Sequence, residues 1–292
     1  LNVVDSWIDP ATLADLAKKA PWDLVLWPFQ TMREIEVLAP SRAAKAPDTL
    51  PSEWMDQLKE LNPRFVVPSS CQFQQESWSW YNHAFFPISY RQFRDEVQTI
   101  LPTAKILRLD PSVSITLDKK GCQSSSSLDW IHPVGPQDLD YEYRPMCKPP
   151  STSAIAKHFV ALTELQAQVV YDYCQTGLLT KYKSLDPPTS EYFEKPRRWR
   201  LSIFDHHGEG FHFFYNLKGS QIEKSVDDRD PIAWVTEVPL ARFYGALRNG
   251  ESLTSMYLRV NDEIFNDEIE NEIGEADIIE DPLIRCLFTA PF

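Results

Sequence analysis

The feature that most constrains the fold is an alternation of short apolar runs and amphipathic stretches over roughly the first 120 residues. Leu1–Val4, Asp23–Trp27 and Arg64–Val67 are rich in aliphatic residues, as expected for strands buried on both faces. Ser52–Leu61 and Tyr90–Leu101 carry apolar residues at spacings of three and four, which predicts helices. This alternation indicates an α/β fold with a mostly parallel sheet.

Changes in composition divide the chain into five predicted segments. Residues 1–121 form the α/β region, and 122–150, which include four consecutive serines, form a long surface connection. A long helix is predicted over 151–184, followed by a proline-rich linker over 185–197. Two alternating strands around a glycine-containing turn, and a later helical pattern, predict a smaller α+β domain over 198–292.

The overall charge disfavours one broad class of partner. The chain of 292 residues has a net charge of −13, which argues against general nucleic-acid binding by phosphate neutralisation. No apolar run approaches the ~20 residues that a membrane-spanning helix needs, and no signal peptide is evident. The five cysteines are scattered without a CxxC pair, which indicates free thiols in a reducing compartment. These features predict a soluble, cytoplasmic protein.

Polar side chains follow several predicted strands at the edge where parallel α/β sheets bind ligands. Asp5 ends the first strand, and the third strand runs into Ser69, Ser70 and Cys71. Ser70 and Cys71 are candidate substrate-binding residues, and Cys71 could act as a nucleophile beside a base such as His83. The segment lacks the GxSxG pattern of a nucleophile elbow. The alternative is that these residues form the ordinary polar loops of an α/β protein.

A dense aromatic cluster follows the third predicted strand. Trp78, Trp80, Tyr81 and two phenylalanines fall within nine residues. Such a cluster either lines an apolar pocket, where Trp78, Trp80 and Tyr81 would contact substrate, or packs as a small satellite core. His83 within the cluster is a candidate general acid or base, and its alternative is a hydrogen-bonding loop residue without a catalytic role.

The chain contains few residues at the spacings typical of metal ligands. His206 and His207, with Glu209 and His212, form the densest imidazole group, but their side chains diverge on a hairpin tip, so a solvated turn is favoured over a metal site. Residues 262–281 include ten acidic residues without Lys or Arg and are predicted to form a solvated amphipathic helix. No glycine-rich phosphate-binding loop is present among the nine glycines.

The order of elements at the start of the chain carries a family resemblance. The runs LNVVDS, PWDLVLWPF and RFVVPSSCQF are successive strands separated by helices. Over roughly residues 1–117, this order resembles the second half of metallo-β-lactamase-fold hydrolases, in the lactonase-like and sialic-acid-hydroxylase-like branch. The C-terminal runs WRLSIFD and GFHFFYNLKGS resemble a sterol-carrier-like tail.

The resemblance implies a metal-dependent hydrolase whose main metal-binding half precedes the printed sequence. The fold would be half of an αββα-type sandwich, and Asp5 would be a ligand to zinc or another divalent transition metal. A metal-bound water would then be activated toward a substrate carbonyl or phosphoryl group. The HxHxDH motif of this family is not found in the chain.

Three classes of function are compatible with the sequence. The first is a metal-dependent hydrolase acting on a small-molecule substrate. The second is a non-enzymatic module that binds an apolar ligand. The third is a scaffold whose strand Leu1–Val4 pairs with a missing N-terminal half, an oligomer partner or another protein through an open edge.

Overall fold

The described part of the chain forms two compact units. The computed structural model describes residues 1–4, 6–29, 34–42, 47–69, 78, 80, 87–109, 113–118, 121–126, 128–130, 144, 148–225, 231–251, 258–261 and 273–288. The first unit comprises Leu1–Met32 and Lys45–Lys148, and the second comprises Arg33–Ala44 and Pro149–Phe292. The finer segment boundaries expected from composition stay predictions.

Helices and strands alternate along both units. The helices are α1 (Pro10–Ala17), α2 (Glu34–Leu38), α3 (Ser52–Leu61), α4 (Tyr90–Ile100), α5 (Thr152–Ala156), α6 (Glu164–Asp172), α7 (Leu178–Lys183), α8 (Glu191–Glu194), α9 (Leu240–Asn249), α10 (Glu275–Ile279) and α11 (Pro282–Phe288). The strands are β1 (Leu24–Pro28), β2 (Phe65–Ser69), β3 (Lys105–Ile106), β4 (Ile115–Asp118), β5 (Gly121–Ser124), β6 (Arg197–Phe204), β7 (Gly210–Lys218), β8 (Gln221–Lys224), β9 (Trp234–Pro239) and β10 (Arg259–Val260).

A three-stranded parallel sheet in the order β1-β2-β3 forms the centre of the first unit. Its register places Val25 of β1 opposite Val66 of β2. The start of the chain lies along the outer edge of β1, where Asn2 forms an isolated parallel bridge with Leu26. The predicted strand Leu1–Val4 is therefore reduced to a single bridge.

The helices of the first unit pack through apolar residues at the predicted spacings. Leu58 and Leu61 of α3 are buried in one hydrophobic core with Phe93 and Val97 of α4. α3 ends at Asn62, whose φ of 44° is left-handed, and its backbone N–H donates back to the last turn. Asparagine is one of the residues that tolerate this conformation at a helix end.

One predicted strand of the α/β region does not join the parallel sheet. Val113–Leu117 is expected to continue the series, whereas in the structure β4 pairs with β5 in an antiparallel hairpin. Residues of β4 alternate between half-buried and exposed. This alternation is typical of an antiparallel strand with one solvated face, while β2 is buried along almost its whole length.

A five-stranded mixed sheet in the order β10-β9-β6-β7-β8 forms the second unit. β6 and β7 make the antiparallel hairpin that the sequence predicts, with Ser202 opposite His212. β9 lies parallel to β6 on its other side, with Glu237 opposite Ser202. The sequence interpretation does not single out β9, because all of its residues are buried and the polar and apolar positions do not alternate.

The two faces of this mixed sheet differ in polarity. The odd-numbered residues of β6 from Trp199 to Ile203 are fully buried in the hydrophobic core of the second unit. Arg198, Arg200 and Ser202 alternate to the opposite face, because successive side chains of a strand point to opposite sides. The second unit thus has one polar sheet face, on which ligand-binding groups can lie.

The long helix predicted over 151–184 is a series of shorter elements in the structure. α5 ends at Ala156, and α6 begins after Thr163. Thr163 Oγ1 accepts a hydrogen bond from the Gln166 backbone N–H, and the Gln166 side chain accepts one from the Thr163 N–H at 2.9 Å. This capping box starts a new helix. A π-helical turn, Tyr173–Gly177, joins α6 to α7.

The predicted α/β fold class is confirmed. The first unit contains the parallel sheet, and the second combines a mixed sheet with helices. Within the described residues, we find no helix with the length and apolar character needed to cross a membrane.

Candidate functional site

A cleft of about 800 Å³ opens at one end of the mixed sheet in the second unit. Its volume falls in the range of small-molecule sites. The walls come from the end of α7, the start of β6, the end of β7 and β8. The lining residues are Lys183, Pro196, Arg197, Arg198, Asn216, Leu217, Lys218, Ser220, Gln221, Ile222, Glu223, Pro231 and Ala233.

The charged residues that line the cleft are mostly basic. Among the lining residues that the structure describes, Lys183, Arg197, Arg198 and Lys218 stand against one carboxylate, that of Glu223. The sign of the local charge is therefore opposite to that of the whole chain, whose net charge is −13. Because clefts lined by one sign of charge concentrate the opposite ions, this cleft is suited to an anionic ligand.

Aromatic side chains fix the two arginines of the cleft. The Arg197 guanidinium carbon lies 3.7 Å from the centroid of the Tyr192 ring. Arg197 Nε also donates a hydrogen bond to the Tyr192 carbonyl oxygen at 2.9 Å. Arg198 is 9% exposed, and its guanidinium carbon lies 5.1 Å from the centroid of the Phe214 ring. These contacts restrain both guanidinium groups, so less side-chain entropy is lost when they bind a ligand.

The two lysines of the cleft have free ammonium groups within the described part of the chain. Lys183 is the last residue of α7, and Lys218 is the last residue of β7; both are exposed. Neither makes a hydrogen bond or an ion pair with another described residue. An anion entering the cleft can therefore contact both lysines without breaking an interaction with another described residue.

The turn between β7 and β8 forms the rim of the cleft and is held in place by hydrogen bonds. Gly219 in this turn has a left-handed φ of 55°, which glycine adopts without strain. Its N–H donates to the Phe193 carbonyl at 2.7 Å, and its carbonyl accepts from the Tyr182 hydroxyl at 3.1 Å. Burial raises the pKa of Tyr182 to about 12, so its hydroxyl stays protonated as a donor. α7 and α8 thus hold the turn that carries Lys218.

A row of polar side chains lies on the polar face of the same sheet, outside the cleft. Glu237 of β9, Ser202 of β6 and His212 of β7 stand side by side in register. His212 Nδ1 lies 2.9 Å from Ser202 Oγ. Glu237 accepts hydrogen bonds from Thr152 Oγ1 at 2.7 Å and from Asn261 Nδ2 at 2.9 Å.

This polar row has the composition of a catalytic triad but not its geometry. Ser202 has no exposed surface, so its Oγ cannot reach a substrate carbonyl. Among the described residues, the Glu237 carboxylate accepts hydrogen bonds from Thr152 and Asn261 and not from the His212 ring. Burial and the positive charge of Arg200 lower the pKa of His212, against an opposing effect of Glu237. His212 is consequently neutral at neutral pH.

Most residues predicted for an active site lie outside the described part of the chain. These residues are Asp5, Ser70, Cys71, Tyr81 and His83. Of the predicted substrate-binding wall, Trp78 is half-buried and Trp80 is 5% exposed. The catalytic role of His83 and the substrate-binding roles of Ser70, Cys71 and the aromatic residues stay predictions.

The histidines of the β6–β7 turn do not converge on a metal position. The rings of His206 and His207 lie against each other with their centroids 3.8 Å apart and their planes tilted by 43°, and the His212 ring turns toward β6. Asp205 Oδ1 accepts two backbone N–H bonds of the turn, one of them from His207 at 2.9 Å. Among the residues that the structure describes, no group of three or more His, Cys, Asp or Glu could hold a metal ion.

No sequence motif identifies the residues of the basic cleft. Lys183 falls in the predicted long helix, and Lys218 falls in a predicted strand, neither of which suggests a ligand contact. One feature of the sequence does point to the cleft: Lys195–Arg200 contains four basic residues among six within an acidic chain. Only the pairing of β6 with β7 places this basic segment beside Lys218.

Comparison with solved structures finds methyltransferases. One match is the MycE methyltransferase from the mycinamycin biosynthetic pathway in complex with Mg, SAH and mycinamycin VI, with 19% identity and a TM-score of 0.30, covering 48% of this chain and 44% of that chain. A crystal form of MycE with Mg and SAH matches at 17% identity and a TM-score of 0.31, covering 48% of this chain and 38% of that chain. The chain thus spans less than half the length of these matches. No family model and no curated protein matches the chain.

These findings correct the predicted family, function and cofactor. These matching structures are methyltransferases rather than metallo-β-lactamase-fold hydrolases, so the predicted relationship is wrong, including its sterol-carrier-like tail. The predicted metal-dependent hydrolase and its zinc cofactor are wrong as well, and the described residues offer no metal-binding group. Asp5 lies outside the described residues, so its role as a ligand is untested. The alternative apolar-ligand or partner-binding module gains no specific support from the comparisons either.

The physical reason for the error is the generality of the pattern. Strands, helices and proline-led loops in that order recur in many unrelated parallel α/β sheets, because the architecture follows from burying alternating elements. At TM-scores near 0.3, the methyltransferase likeness in turn supports no inference about the activity of this chain.

Proposed function

We propose that the second unit binds an anionic small molecule in the basic cleft between α7 and the β6–β7–β8 edge. The ligand carries phosphate or carboxylate groups, which are the anions that arginine and lysine side chains recognise best in proteins. The observation that carries the proposal is the convergence of Lys183, Arg197, Arg198 and Lys218 on one cleft in a strongly acidic chain.

The division of labour among the four cations supports this proposal. Arg197 and Arg198 are held against aromatic rings and supply a pre-oriented floor, whereas Lys183 and Lys218 are exposed and can close on the ligand from two sides. Asn216 and Ser220 also line the cleft and add neutral hydrogen-bonding groups. A small molecule with a polar body and more than one acidic group fits this combination.

The predicted cytoplasmic location remains part of the proposal. Cys174 and Cys286 are free and buried, and Cys122 is free and half-buried. Burial raises the pKa of Cys286 to about 12, so this thiol stays uncharged and unreactive. Free thiols of this kind are typical of proteins from reducing compartments. A partner at the Leu1–Val4 edge also stays a prediction.

The decisive experiment is a calorimetric titration of the full chain with pyrophosphate and, separately, with citrate at low ionic strength. We expect saturable binding of at least one of these probes. The double variant Lys183→Gln/Lys218→Gln removes two exposed cations that have no described partner, so the fold is preserved. Losing two such contacts should weaken binding roughly tenfold, which corresponds to about 1.4 kcal/mol.

A matched control separates the cleft from general charge effects. Lys19→Gln/Lys59→Gln makes the same change in net charge at two exposed lysines of the first unit. This control should bind the probe as the unmodified chain does. The proposal fails if the unmodified chain shows no saturable binding, or if the control loses as much affinity as the cleft variant.

A further inference from the structure

Arg200 is a partly buried cation that lies outside the basic cleft. It sits on the polar face of the mixed sheet, two residues beyond Arg198 along β6. Its Nε is buried without a hydrogen-bond partner, and Arg200 makes no ion pair with any described residue. Burial lowers the pKa of Arg200, and the charge of Glu237 opposes that effect. An arginine placed in this way retains donor capacity that the described residues do not use.

His212 supplies a second unused donor on the same face. Ser202 is fully buried, and the only described acceptor of its hydroxyl proton is His212 Nδ1, at 2.9 Å. We therefore assign Ser202 Oγ–H as the donor to Nδ1, which places the ring proton of the neutral imidazole on Nε2. Nε2 makes no hydrogen bond with another described residue. The buried Ser202 thus fixes the tautomer of His212 and leaves its Nε2–H group as a hydrogen-bond donor.

The sheet register brings these two donors together. Arg200 lies opposite Phe214, and Ser202 lies opposite His212, so Arg200 and His212 are diagonal neighbours across the β6–β7 pair. Diagonal neighbours in a strand pair are within reach of long side chains. The positive charge of Arg200 also contributes to lowering the pKa of His212, after the larger effect of burial.

The nearby carboxylate does not occupy the position between the two donors. Glu237 is 6% exposed, and its two oxygens accept from Thr152 Oγ1 at 2.7 Å and Asn261 Nδ2 at 2.9 Å. Arg259 of β10 stands opposite Glu237 in register, so a second arginine belongs to this face of the sheet. The local balance on this face is consequently positive around Arg200.

A glycine keeps the outer edge of the imidazole clear. A Cβ added at Gly210 would lie 3.1 Å from His212 Cε1 and 3.3 Å from Nε2. Any larger residue at position 210 would therefore crowd the edge of the ring that carries the Nε2 proton.

We propose that Arg200 and His212 together form a receptor for one oxyanion, a carboxylate or a phosphate, on the polar face of the mixed sheet. Neither residue lines the basic cleft, so the receptor is a second site that does not depend on the cleft ligand. Arg200 supplies the charge, and His212 Nε2–H supplies a directed hydrogen bond. When His212 takes up a proton, Ser202 Oγ rotates to accept from Nδ1–H, and the receptor gains a second positive charge.

The receptor is tested by NMR of the histidine ring nitrogens in the full chain, titrated with inorganic phosphate and, in a separate arm, with acetate. We expect a saturable shift of the His212 signals and a rise of its pKa by roughly half a unit or more when the anion binds. Binding should strengthen as pH falls through the pKa of His212. The unbound chain should show the tautomer with the proton on Nε2.

Three variants identify the groups responsible. Arg200→Gln should abolish the saturable response, while Arg200→Lys should restore part of it and Arg248→Gln, at an exposed arginine elsewhere in the second unit, should leave it unchanged. Gly210→Ala should weaken the response without any change in charge. Ser202→Ala removes the donor to His212 Nδ1, so the ring should become a mixture of Nδ1–H and Nε2–H tautomers.

The outcomes distinguish this receptor from the cleft. The His212 response should persist in Lys183→Gln/Lys218→Gln, whether or not the cleft itself binds pyrophosphate. Loss of the response in that variant, an equal response in Arg200→Gln, or no saturation in the unmodified chain would each overturn the inference. Saturation by phosphate with no response to acetate would assign the receptor to phosphate groups.

Discussion

Trp234 Nε1 donates a hydrogen bond of 2.6 Å to Asp281 Oδ2, and this carboxylate is fully buried in the second unit. Thr236 Oγ1 donates to the same oxygen. The backbone N–H groups of Leu283 and Ile284 donate to Oδ1 at 2.8 and 3.1 Å. Asp281 therefore caps α11 with one oxygen and holds β9 with the other.

The substitution Asp281→Asn tests this double role. The amide oxygen can still cap α11, but its NH2 group cannot accept the bonds of Trp234 and Thr236. Because buried donors are then left unsatisfied, we expect a loss of about 3 kcal/mol in the free energy of unfolding. Urea denaturation provides the measurement, with Asp186→Asn as the exposed control. Equal stability of the two variants would contradict a structural role for Asp281.

The same carboxyl group should give a defined pH dependence of stability. Burial raises the pKa of Asp281, although its four hydrogen bonds oppose the shift. Between the unfolded pKa and the raised folded pKa, the folded chain binds more protons than the unfolded chain. The stability of the unmodified protein relative to Asp281→Asn should therefore decrease as pH rises from about 4. A relative stability that increases over this pH interval would show that folding lowers the pKa of Asp281 instead of raising it.

Gly177, at the end of the π-helical turn, leaves room for an aromatic ring. A Cβ at this position would lie 2.7 Å from Tyr173 Cδ2, and the Tyr173 ring packs edge-on against Phe243 with a centroid distance of 5.8 Å. Gly177→Ala should therefore cost about 1–2 kcal/mol in the free energy of unfolding, despite the better helix propensity of alanine.

A second helical glycine provides the matched control for this prediction. The three atoms nearest to a Cβ at Gly245 all belong to the carboxylate of Glu251, an exposed side chain that can move away. Gly245→Ala should consequently be neutral or stabilising by up to about 1 kcal/mol. Thermal or urea unfolding measures both variants, and a larger loss in Gly245→Ala than in Gly177→Ala would refute the packing argument.

The capping box at Thr163 should contribute measurably to the stability of α6. Thr163→Ala removes the acceptor of the Gln166 N–H and should cost about 1 kcal/mol. Thr180→Ala is the control, because Thr180 lies inside α7 and its hydroxyl bonds only to the Thr176 carbonyl one turn earlier. Chemical denaturation of both variants gives the comparison. A control that loses as much stability would show that the cap contributes nothing specific.

The hydroxyl of Tyr182 should influence ligand binding through the turn that it holds. Tyr182→Phe removes the hydrogen bond to the Gly219 carbonyl while it keeps the ring in place. The turn that carries Lys218 is then less restrained, so pyrophosphate binding should weaken severalfold with a stability loss of about 1 kcal/mol. Calorimetric titration measures the change, and Tyr171→Phe, outside the cleft lining, should bind normally. Unchanged affinity in Tyr182→Phe would show that the restraint on this turn does not contribute to ligand binding.

Much of the secondary structure was predictable, since it depends on local periodicity. The predicted helix Ser52–Leu61 coincides with α3, and the β6–β7 hairpin follows the predicted alternation. β9 was missed because a strand that is buried on both faces has no alternation to detect. The helix predicted over 151–184 is interrupted after Ala156 and starts again at Glu164, because the capping signal at Thr163 begins a new helix within a continuing apolar spacing.

The candidate sites depend on long-range pairing. The chain alone reveals a basic run at Lys195–Arg200, but the strand partners decide which of these cations meet Lys218 and which meet His212. The family prediction failed for the complementary reason. An order of strands and helices specifies an architecture that many unrelated sites share.

The sequence by itself determined that this protein has a parallel α/β region followed by a mixed α and β region. The reason is that the periodicity of apolar residues, which distinguishes helices from strands, is visible within each short segment. Only the tertiary structure decided where charge gathers. Register and burial placed four cations around one cleft, buried Ser202 beneath His212, and left Arg200 without a described partner. These properties arise between residues far apart in the chain, so no local pattern contains them.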